Sequence, residues 1–186
     1  MNYIRGDIII HKFLNETNKD EVTNLFMSVF TSSEGDAEGK LIGNLASELS
    51  SVIDNEDIVC IGAFDKESII GAIFFTHLKF TQDILIYMLA PVAVTTNYQG
   101  KGVGKGLIKY GLNKLKDRGV AVVITYGDPA FYSKVGFQPL SETVIQAPLK
   151  LTMPIGWLGQ SLVKGSIPKI HERPQCVEAF NDSAYW

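Results

Sequence analysis

Residues 92–111 read VAVTTNYQGKGVGKGLIKYG, an apolar run that passes through a short polar turn into glycines at 100, 102, 104 and 106. Glycines leave backbone N–H groups unshielded, and Lys101 and Lys105 add positive charge beside them. The apolar spacing that follows predicts a helix, so the turn sits at the positive end of a helix dipole. The chemistry on offer is capture of an anion, a phosphate above all. Two of the familiar phosphate turns fail on spacing. A P-loop needs Gly-Lys followed by Ser or Thr, and Gly104-Lys105 is followed by Gly106. A dinucleotide fingerprint needs Gly-x-Gly-x-x-Gly, which no register of the stretch supplies. A turn that serves only close helix–strand packing is a further alternative. It explains neither Gln99 nor four glycines, each of which costs about 0.5–1 kcal/mol relative to alanine in regular structure.

The pattern that is met is Gln-x-x-Gly-x-Gly, at Gln99, Gly102 and Gly104, between a strand and a helix. At these residues the chain resembles the GNAT family of N-acetyltransferases, whose pyrophosphate loop has this form. Roughly thirty residues on, Phe131-Tyr132-Ser133-Lys134-Val135-Gly136-Phe137 resembles the family's second signature, an aromatic-Tyr stretch ending in Gly-Phe. The stretch from Leu89 to Phe137 carries both and covers about a quarter of the chain. It looks closest to bacterial acetyltransferases with a Gly-Asp-Pro-Ala turn. The resemblance implies an α/β, GNAT-like acyl-CoA N-acyltransferase fold: a central mixed, mostly antiparallel sheet flanked by helices, with one parallel strand–helix–strand crossover at the acetyl-CoA site. It further implies acetyl-CoA as cosubstrate, no metal, and transfer of the acetyl group to a primary amine by direct attack through a tetrahedral intermediate. The acceptor would be a small molecule or a protein amino group, and a homodimer is a family habit.

Acetyl transfer from a thioester needs a grip on coenzyme A, a donor for the oxyanion, and proton traffic at both ends. By resemblance, the amides of Gln99, Gly100, Lys101, Gly102, Val103, Gly104 and Lys105 bind the pyrophosphate. The backbone of Val92, Ala93 and Val94 pairs with the pantetheine arm, and the Val92 N–H faces the thioester oxygen. Tyr132 gives a proton to the departing thiolate; a phenol of ordinary pKa near 10 is protonated at neutral pH, as that role requires. A buried aromatic whose hydroxyl caps a neighbour is the structural alternative for Tyr132. Asp128 joins the cofactor set, in a Gly-Asp-Pro-Ala segment where related sequences usually carry Asn-x-x-Ala. An alkyl ammonium of pKa near 10 must lose a proton before attack, at a cost of about 4 kcal/mol at pH 7. Relatives acting on protein lysines often place a glutamate four residues before the oxyanion donor, and Met88 stands there. The candidates for that proton are a water relay or a carboxylate from the stretch TSSEGDAEG, with Glu38 first among Glu34, Asp36 and Glu38. His77 is a further possibility, although a lone strand histidine is more often structural.

Elements must position these groups. Asp7–Phe13 reads as a first strand, and Asn18 with Glu21 as a capping box that opens a helix through Leu25, Phe26 and Phe30. TSSEGDAEG reads as a polar loop, followed by a helix over Lys40–Leu49. Ile58–Phe64, Ile69–Phe80 and Ile84–Val94 form a strand meander. Leu107, Ile108, Gly111, Leu112 and Leu115 make one stripe of a helix ending at Gly119, and Val120–Thr125 is an apolar strand parallel to the one before it. Val144–Met153 has room for a strand or two and Gly156–Val163 for a short amphipathic piece. We expect a single domain over residues 1–186, with its core at about 3–153 and a C-terminal extension at 154–186.

Composition bounds the class. A chain of 186 residues with 46% hydrophobic content can bury one sizeable core. Seventeen Lys+Arg against 20 Asp+Glu give a net charge of −3 with no basic run, which argues against nucleic acid and mildly favours a cationic acceptor. Two cysteines far apart and three scattered histidines support neither a disulfide framework nor a zinc site. No stretch approaches ~18 uninterrupted apolar residues, so no membrane role is expected and the location expected is cytoplasmic. The alternative from another class is a non-catalytic acetyl-CoA-binding sensor or scaffold, which needs the glycine turn but not Tyr132.

Overall fold

The computed structural model describes residues 3–4 and 7–186. The chain runs β1 (Tyr3–Ile4), β2 (Asp7–Phe13), α1 (Lys19–Glu34), α2 (Asp36–Ser50), β3 (Ile58–Asp65), β4 (Ser68–Leu78), β5 (Ile86–Val94), α3 (Val103–Asp117), β6 (Val122–Tyr126), α4 (Pro129–Tyr132), β7 (Gln138–Pro139) and β8 (Trp157–Ser161). The strands are hydrogen-bonded in the order β1-β2-β3-β4-β5-β6-β8-β7. β5 and β6 are parallel, whereas β1–β2, β2–β3, β6–β8 and β7–β8 are antiparallel. This is the mixed, mostly antiparallel sheet with one parallel crossover that the sequence predicts. The residues group into two compact units, Met1–Phe74 with Pro91–Gly111 and Phe75–Ala90 with Leu112–Trp186.

In the first unit the predicted polar loop is absent. α1 continues to Glu34 and α2 starts at Asp36, so TSSEGDAEG is helical on both sides of Gly35, which alone turns the chain at φ +97°. The Ser32 and Ser33 hydroxyls donate to the Ser28 and Val29 carbonyls at 2.8 and 3.2 Å, which spends inside the helix the groups that elsewhere compete with it. Gly39 and Gly43 then let α2 lie tightly on α1. A Cβ on Gly39 would collide with Thr31 Oγ1, and one on Gly43 would come within 2.9 Å of the Met27 Cβ. Val22, Leu25, Phe26 and Val29 of α1 are buried with Ile42, Leu45, Ala46 and Leu49 of α2.

The expected capping box also moves. Asn18 makes no side-chain cap for α1; its Oδ1 instead accepts the Asn15 N–H at 3.2 Å, while Asn15 Oδ1 accepts the Thr17 N–H at 3.0 Å. Glu21, freed from that role, accepts the Ile69 N–H of β4 at 3.1 Å.

In the second unit Val122, Val123 and Ile124 of β6 are fully buried. β5 lies parallel on one side, from Ile86↔Val122 to Leu89↔Thr125, and β8 antiparallel on the other, from Val122↔Ser161 to Tyr126↔Trp157. β8 is where an amphipathic piece was expected, and 144–153 holds no strand. That segment, which contains Pro148, is held through single backbone atoms: Trp157 Nε1 donates to the Ile145 carbonyl at 2.9 Å, Ile170 N–H to Val144 at 2.8 Å, and the Arg173 guanidinium to Ala147 at 2.7 Å. The α3 stripe is as predicted, with Leu107, Ile108, Leu112 and Leu115 all buried and Gly119 closing the helix at φ +83°.

Candidate active site

The glycine turn belongs to the first unit. Thr96–Tyr98 form one 3-10 turn after β5, and α3 begins at Val103, so Gln99–Gly102 are the link between them. Gly100 and Gly102 have φ of +71° and +84°, a region that L side chains rarely adopt, which is why glycine is required at both. The first helical hydrogen bond runs from the Gly106 N–H to the Gly102 carbonyl at 2.9 Å. The amides of Val103, Gly104 and Lys105 therefore head the helix with no partner inside it, as in any α-helix. Gln99 plays a different part: its own N–H goes to Thr96 at 3.2 Å, and its Nε2 donates to the Val94 carbonyl at 2.9 Å. It fastens the turn to the end of β5. Tyr98 braces the same turn, its hydroxyl donating to the Asp65 carboxylate and its ring lying under the Lys101 ammonium at 5.2 Å.

Val92, Ala93 and Val94 form the end of β5 in that unit, with Ala93 buried and its neighbours half-buried. β4 backs them closely. A Cβ on Gly71 would come within 3.1 Å of the Ala93 carbonyl, and the Thr95 N–H continues the pairing to Ile70 at 2.9 Å. The Thr95 hydroxyl, one residue past Val94, is buried and has no hydrogen-bond partner among the described residues. Sequence reading passed it over because a threonine before a turn carries no motif. The parallel pairing of β5 with β6 ends at Leu89↔Thr125, ahead of Pro91, which has no N–H to offer a ladder.

Asp128 and Tyr132 belong to the second unit. Asp128 caps α4: its Oδ1 accepts the Ala130 N–H at 2.8 Å, and Pro129 fills the first helical position. The Asp128 carbonyl takes the N–H groups of Phe131 and Tyr132, each at 3.1 Å. Tyr132 is 8% exposed. Phe131 and Phe137 meet its ring edge-on at 5.0 and 5.7 Å, and a Cβ on Gly127 would sit 2.7 Å from its Cε2. Its hydroxyl is hydrogen-bonded to the side chain of Thr125, whose own hydroxyl donates to the Leu89 carbonyl at 2.8 Å. Burial pushes the Tyr132 phenol above its ordinary range and the Thr125 hydrogen bond pulls it partly back. The residue is thus protonated through neutral and mildly alkaline pH. Thr125, fully buried on β6, is a second residue that sequence reading missed, since a threonine inside a β-branched strand reads as core.

The other candidates have surroundings of their own. Glu38 is half-buried in the first turn of α2, beside Asp36, where acidic side chains complement the helix dipole. His77 stacks on Tyr87 at 5.1 Å and lines an open hollow of about 370 Å³ with Lys79–Leu85. Met88, in the place of the family's glutamate, is buried.

Comparison with known proteins accords with this geometry. Residues 11–140 match the acetyltransferase (GNAT) domain. The sequence is 33% identical over 108 residues to the uncharacterized N-acetyltransferase YhbS of Escherichia coli K12, covering 58% of this chain and 62% of that one. It is 38% identical over 73 residues to YjhQ of the same strain, an uncharacterized N-acetyltransferase, covering 38% of this chain and 40% of that one. The sequence-aligned stretches thus span less than two thirds of the length of these relatives. In structure it is similar to Escherichia coli YhbS in complex with CoA, with a TM-score of 0.78 and 23% identity over 98% of this chain and 97% of that one. It is also similar to a GNAT acetyltransferase of Brucella melitensis in complex with acetyl-CoA, at a TM-score of 0.65 and 18% identity over 94% and 99% of the two chains. With most of its length matched by the family and a fold shared with it throughout, the chain belongs to the GNAT acetyltransferase family.

Proposed function

We propose that the chain is an acetyl-CoA-dependent N-acetyltransferase that moves the acetyl group to a primary amine by direct attack through a tetrahedral intermediate. The observation that carries this is the turn from β5 into α3, where glycines at positive φ precede helix-heading amides of Val103, Gly104 and Lys105. Such a nest suits a pyrophosphate, each amide adding a charge-assisted hydrogen bond in the field of the helix dipole. Gly100, Lys101 and Gly102 supply the remaining donors. The Gln99 side chain holds the nest to the strand through the Val94 carbonyl. The end of β5 offers Val92, Ala93 and Val94 to the pantetheine arm, and the Val92 N–H is our assignment for the oxyanion donor. Asp128 serves as the cap that sets α4, and through it Tyr132.

Tyr132 is the acid. As the tetrahedral intermediate collapses, the C–S bond breaks with its electron pair on sulfur, and the phenol O–H gives its proton to that thiolate. Glu38 is the carboxylate that we assign to the amine proton, by way of water. The acceptor class is an amine that is cationic before attack, in keeping with the net charge of −3. Release of coenzyme A thiol, measured across a panel of polyamines, aminoglycosides, amino acids and lysine peptides, tests the whole reading. Calorimetric binding of acetyl-CoA without turnover on any amine would instead leave a binding domain.

A further inference from the structure

Gly100 and Gly102, at φ +71° and +84°, give the turn between β5 and α3 its path but no side chain to anchor it. The anchors are its neighbours. Two of their contacts reach another part of the first unit: the Thr95 N–H goes to the Ile70 carbonyl at 2.9 Å, and the Tyr98 hydroxyl to the Asp65 carboxylate, 33 residues away in sequence. Both acceptors belong to one hairpin. β3 ends at Asp65, Lys66 and Glu67 make the link with Lys66 at φ +57°, and β4 starts at Ser68. So short a link joins antiparallel neighbours directly, which carries the carboxylate at the end of a paired strand rather than on a loose loop. Asp65 is also paired with Ile9 of β2, so its backbone is held on a second side.

The other bonds of the turn are local. Tyr98 N–H goes to the Thr95 carbonyl at 2.8 Å, Gln99 N–H to Thr96 at 3.2 Å and Gln99 Nε2 to Val94 at 2.9 Å, which tie the turn to itself and to the end of β5. The half-buried Tyr98 phenol adds a reference outside that segment. Its hydroxyl meets the carboxylate, and its face meets a cation: the exposed Lys101 ammonium stands 5.2 Å from the ring centroid. An ammonium over an aromatic face is attracted by the ring quadrupole, without the neutralisation that a carboxylate would bring. A direct ion pair between Lys101 and Asp65 would draw the ammonium onto the hairpin. The phenol takes the carboxylate for itself and leaves the cation its charge at the glycine turn.

We infer that Tyr98 is a positioning residue for the phosphate grip: its hydroxyl fixes the glycine turn to the tip of the β3–β4 hairpin, and its ring holds the Lys101 ammonium where a phosphate of acetyl-CoA meets it. This rests on the assignment of the turn to acetyl-CoA. No bond is made or broken in this role, and the thioester step takes no part in it. The effect belongs to binding, because a turn already in place meets its ligand without first being ordered.

The test is a set of binding cycles read by calorimetry with acetyl-CoA, on proteins whose melting shows them folded. Tyr98→Phe keeps the ring and removes the hydroxyl, and Asp65→Ala removes the acceptor. Each should weaken acetyl-CoA about tenfold, and the double variant no further, since both delete one hydrogen bond. Asp65→Asn offers an amide oxygen to the same hydroxyl and should recover most of the affinity. Should Tyr98→Phe fail to fold, Asp65→Ala and Asp65→Asn read the same tie from its other end. Tyr98→Leu removes the ring face as well and should cost about a further threefold, a step that vanishes in a Lys101→Gln background. In turnover, Tyr98→Phe should raise KM for acetyl-CoA about tenfold with kcat kept within about twofold. With S-acetylpantetheine, which carries no phosphate, kcat/KM should stay within about twofold. Wild-type affinity in folded Tyr98→Phe overturns the inference. Additive losses in the Tyr98–Asp65 cycle do the same, and so does an equal loss with both acetyl donors, which would make Tyr98 a structural residue alone. Unchanged affinity in folded Gly102→Val removes acetyl-CoA from the turn, and the inference with it.

Discussion

The turns after β5 and after β6 each carry a strand into a helix, and they treat the helix N-terminus in opposite ways. After β5 the chain reaches α3 through Gly100 and Gly102 at positive φ, and the residue ahead of Val103 has no side chain with which to cap the helix. After β6 it reaches α4 through Asp128, which caps the Ala130 amide, and Pro129, which has no N–H to leave open. The first turn leaves its amides uncapped, at the conformational cost that glycine brings. The second satisfies its amides internally and gains a fixed direction for Tyr132, three residues past the proline. On the proposed function, open amides bind and capped amides aim.

The sharpest way to break this contrast is to remove the aimed group. Tyr132→Phe keeps the ring and its edge-on contacts, so acetyl-CoA affinity by calorimetry should stay within about twofold while turnover drops roughly 10²–10⁴-fold. A fall below about threefold, with chemistry shown to limit the rate, would take the acid role from Tyr132. Filling the open turn should do the converse. Gly102→Val forces a β-branched residue to φ +84° and covers neighbouring amides, at a backbone strain of about 1–2 kcal/mol. Loss of two charge-assisted hydrogen bonds at about 1.5–3 kcal/mol each should weaken acetyl-CoA binding at least about 100-fold. Unchanged affinity in a folded protein would show that the nest is not the binding site.

Smaller effects sharpen the distinction. Asp128→Ala removes a cap worth about 0.5–2 kcal/mol, so Tm should fall by a few degrees and turnover several-fold, with acetyl-CoA affinity kept. A matching loss of affinity would make Asp128 a ligand contact instead. Glu38→Gln should lower kcat/KM for a cationic amine by less than about tenfold, and added salt should narrow the gap between variant and wild type. If salt leaves that gap unchanged, Glu38 is not acting by charge. The pH profile supplies the least change. Burial raises the Tyr132 phenol, so no alkaline decline due to Tyr132 should appear below about pH 10. The sign for stability is the same. A phenol whose pKa rises on folding contributes stability below its ordinary value and loses it as pH climbs through the folded one. Urea denaturation at rising alkaline pH should therefore weaken wild type more than Tyr132→Phe.

The glycine turn and the Tyr132 stretch were legible in the sequence because both depend on residue types with few alternatives: glycine at positive φ, and an aromatic hydroxyl before Gly-Phe. The regular apolar segments were legible too, from period. What misled was polarity that the fold satisfies locally. TSSEGDAEG has the composition of a loop, yet Ser32 and Ser33 fold back on their own helix and Gly39 is there for contact with Thr31. Asn18 with Glu21 has the form of a capping box, yet Asn15 takes the asparagine and the Ile69 amide takes the glutamate. Apolar content alone misplaced a strand at 144–153, where lone hydrogen bonds hold an irregular path, while Trp157–Ser161 carries the pairing with β6. Gln99 was read for its N–H alone, whereas the structure also shows its side chain tying the turn to the Val94 carbonyl.

β8 also has a consequence in time. β6 is Val-Val-Ile-Thr-Tyr, among the strongest strand-forming runs in the chain, and its antiparallel partner begins only at Trp157. A ribosome delivers β6 about 30 residues before the strand that covers this edge. During that interval one side of an apolar strand is an open template for the same strand in another copy. Chains cut at Gly156 are expected to sediment as aggregate, and charged residues set into β6 to keep them in the supernatant. Late arrival of Trp157–Ser161 thus leaves the β6 edge uncovered for part of the protein's own synthesis.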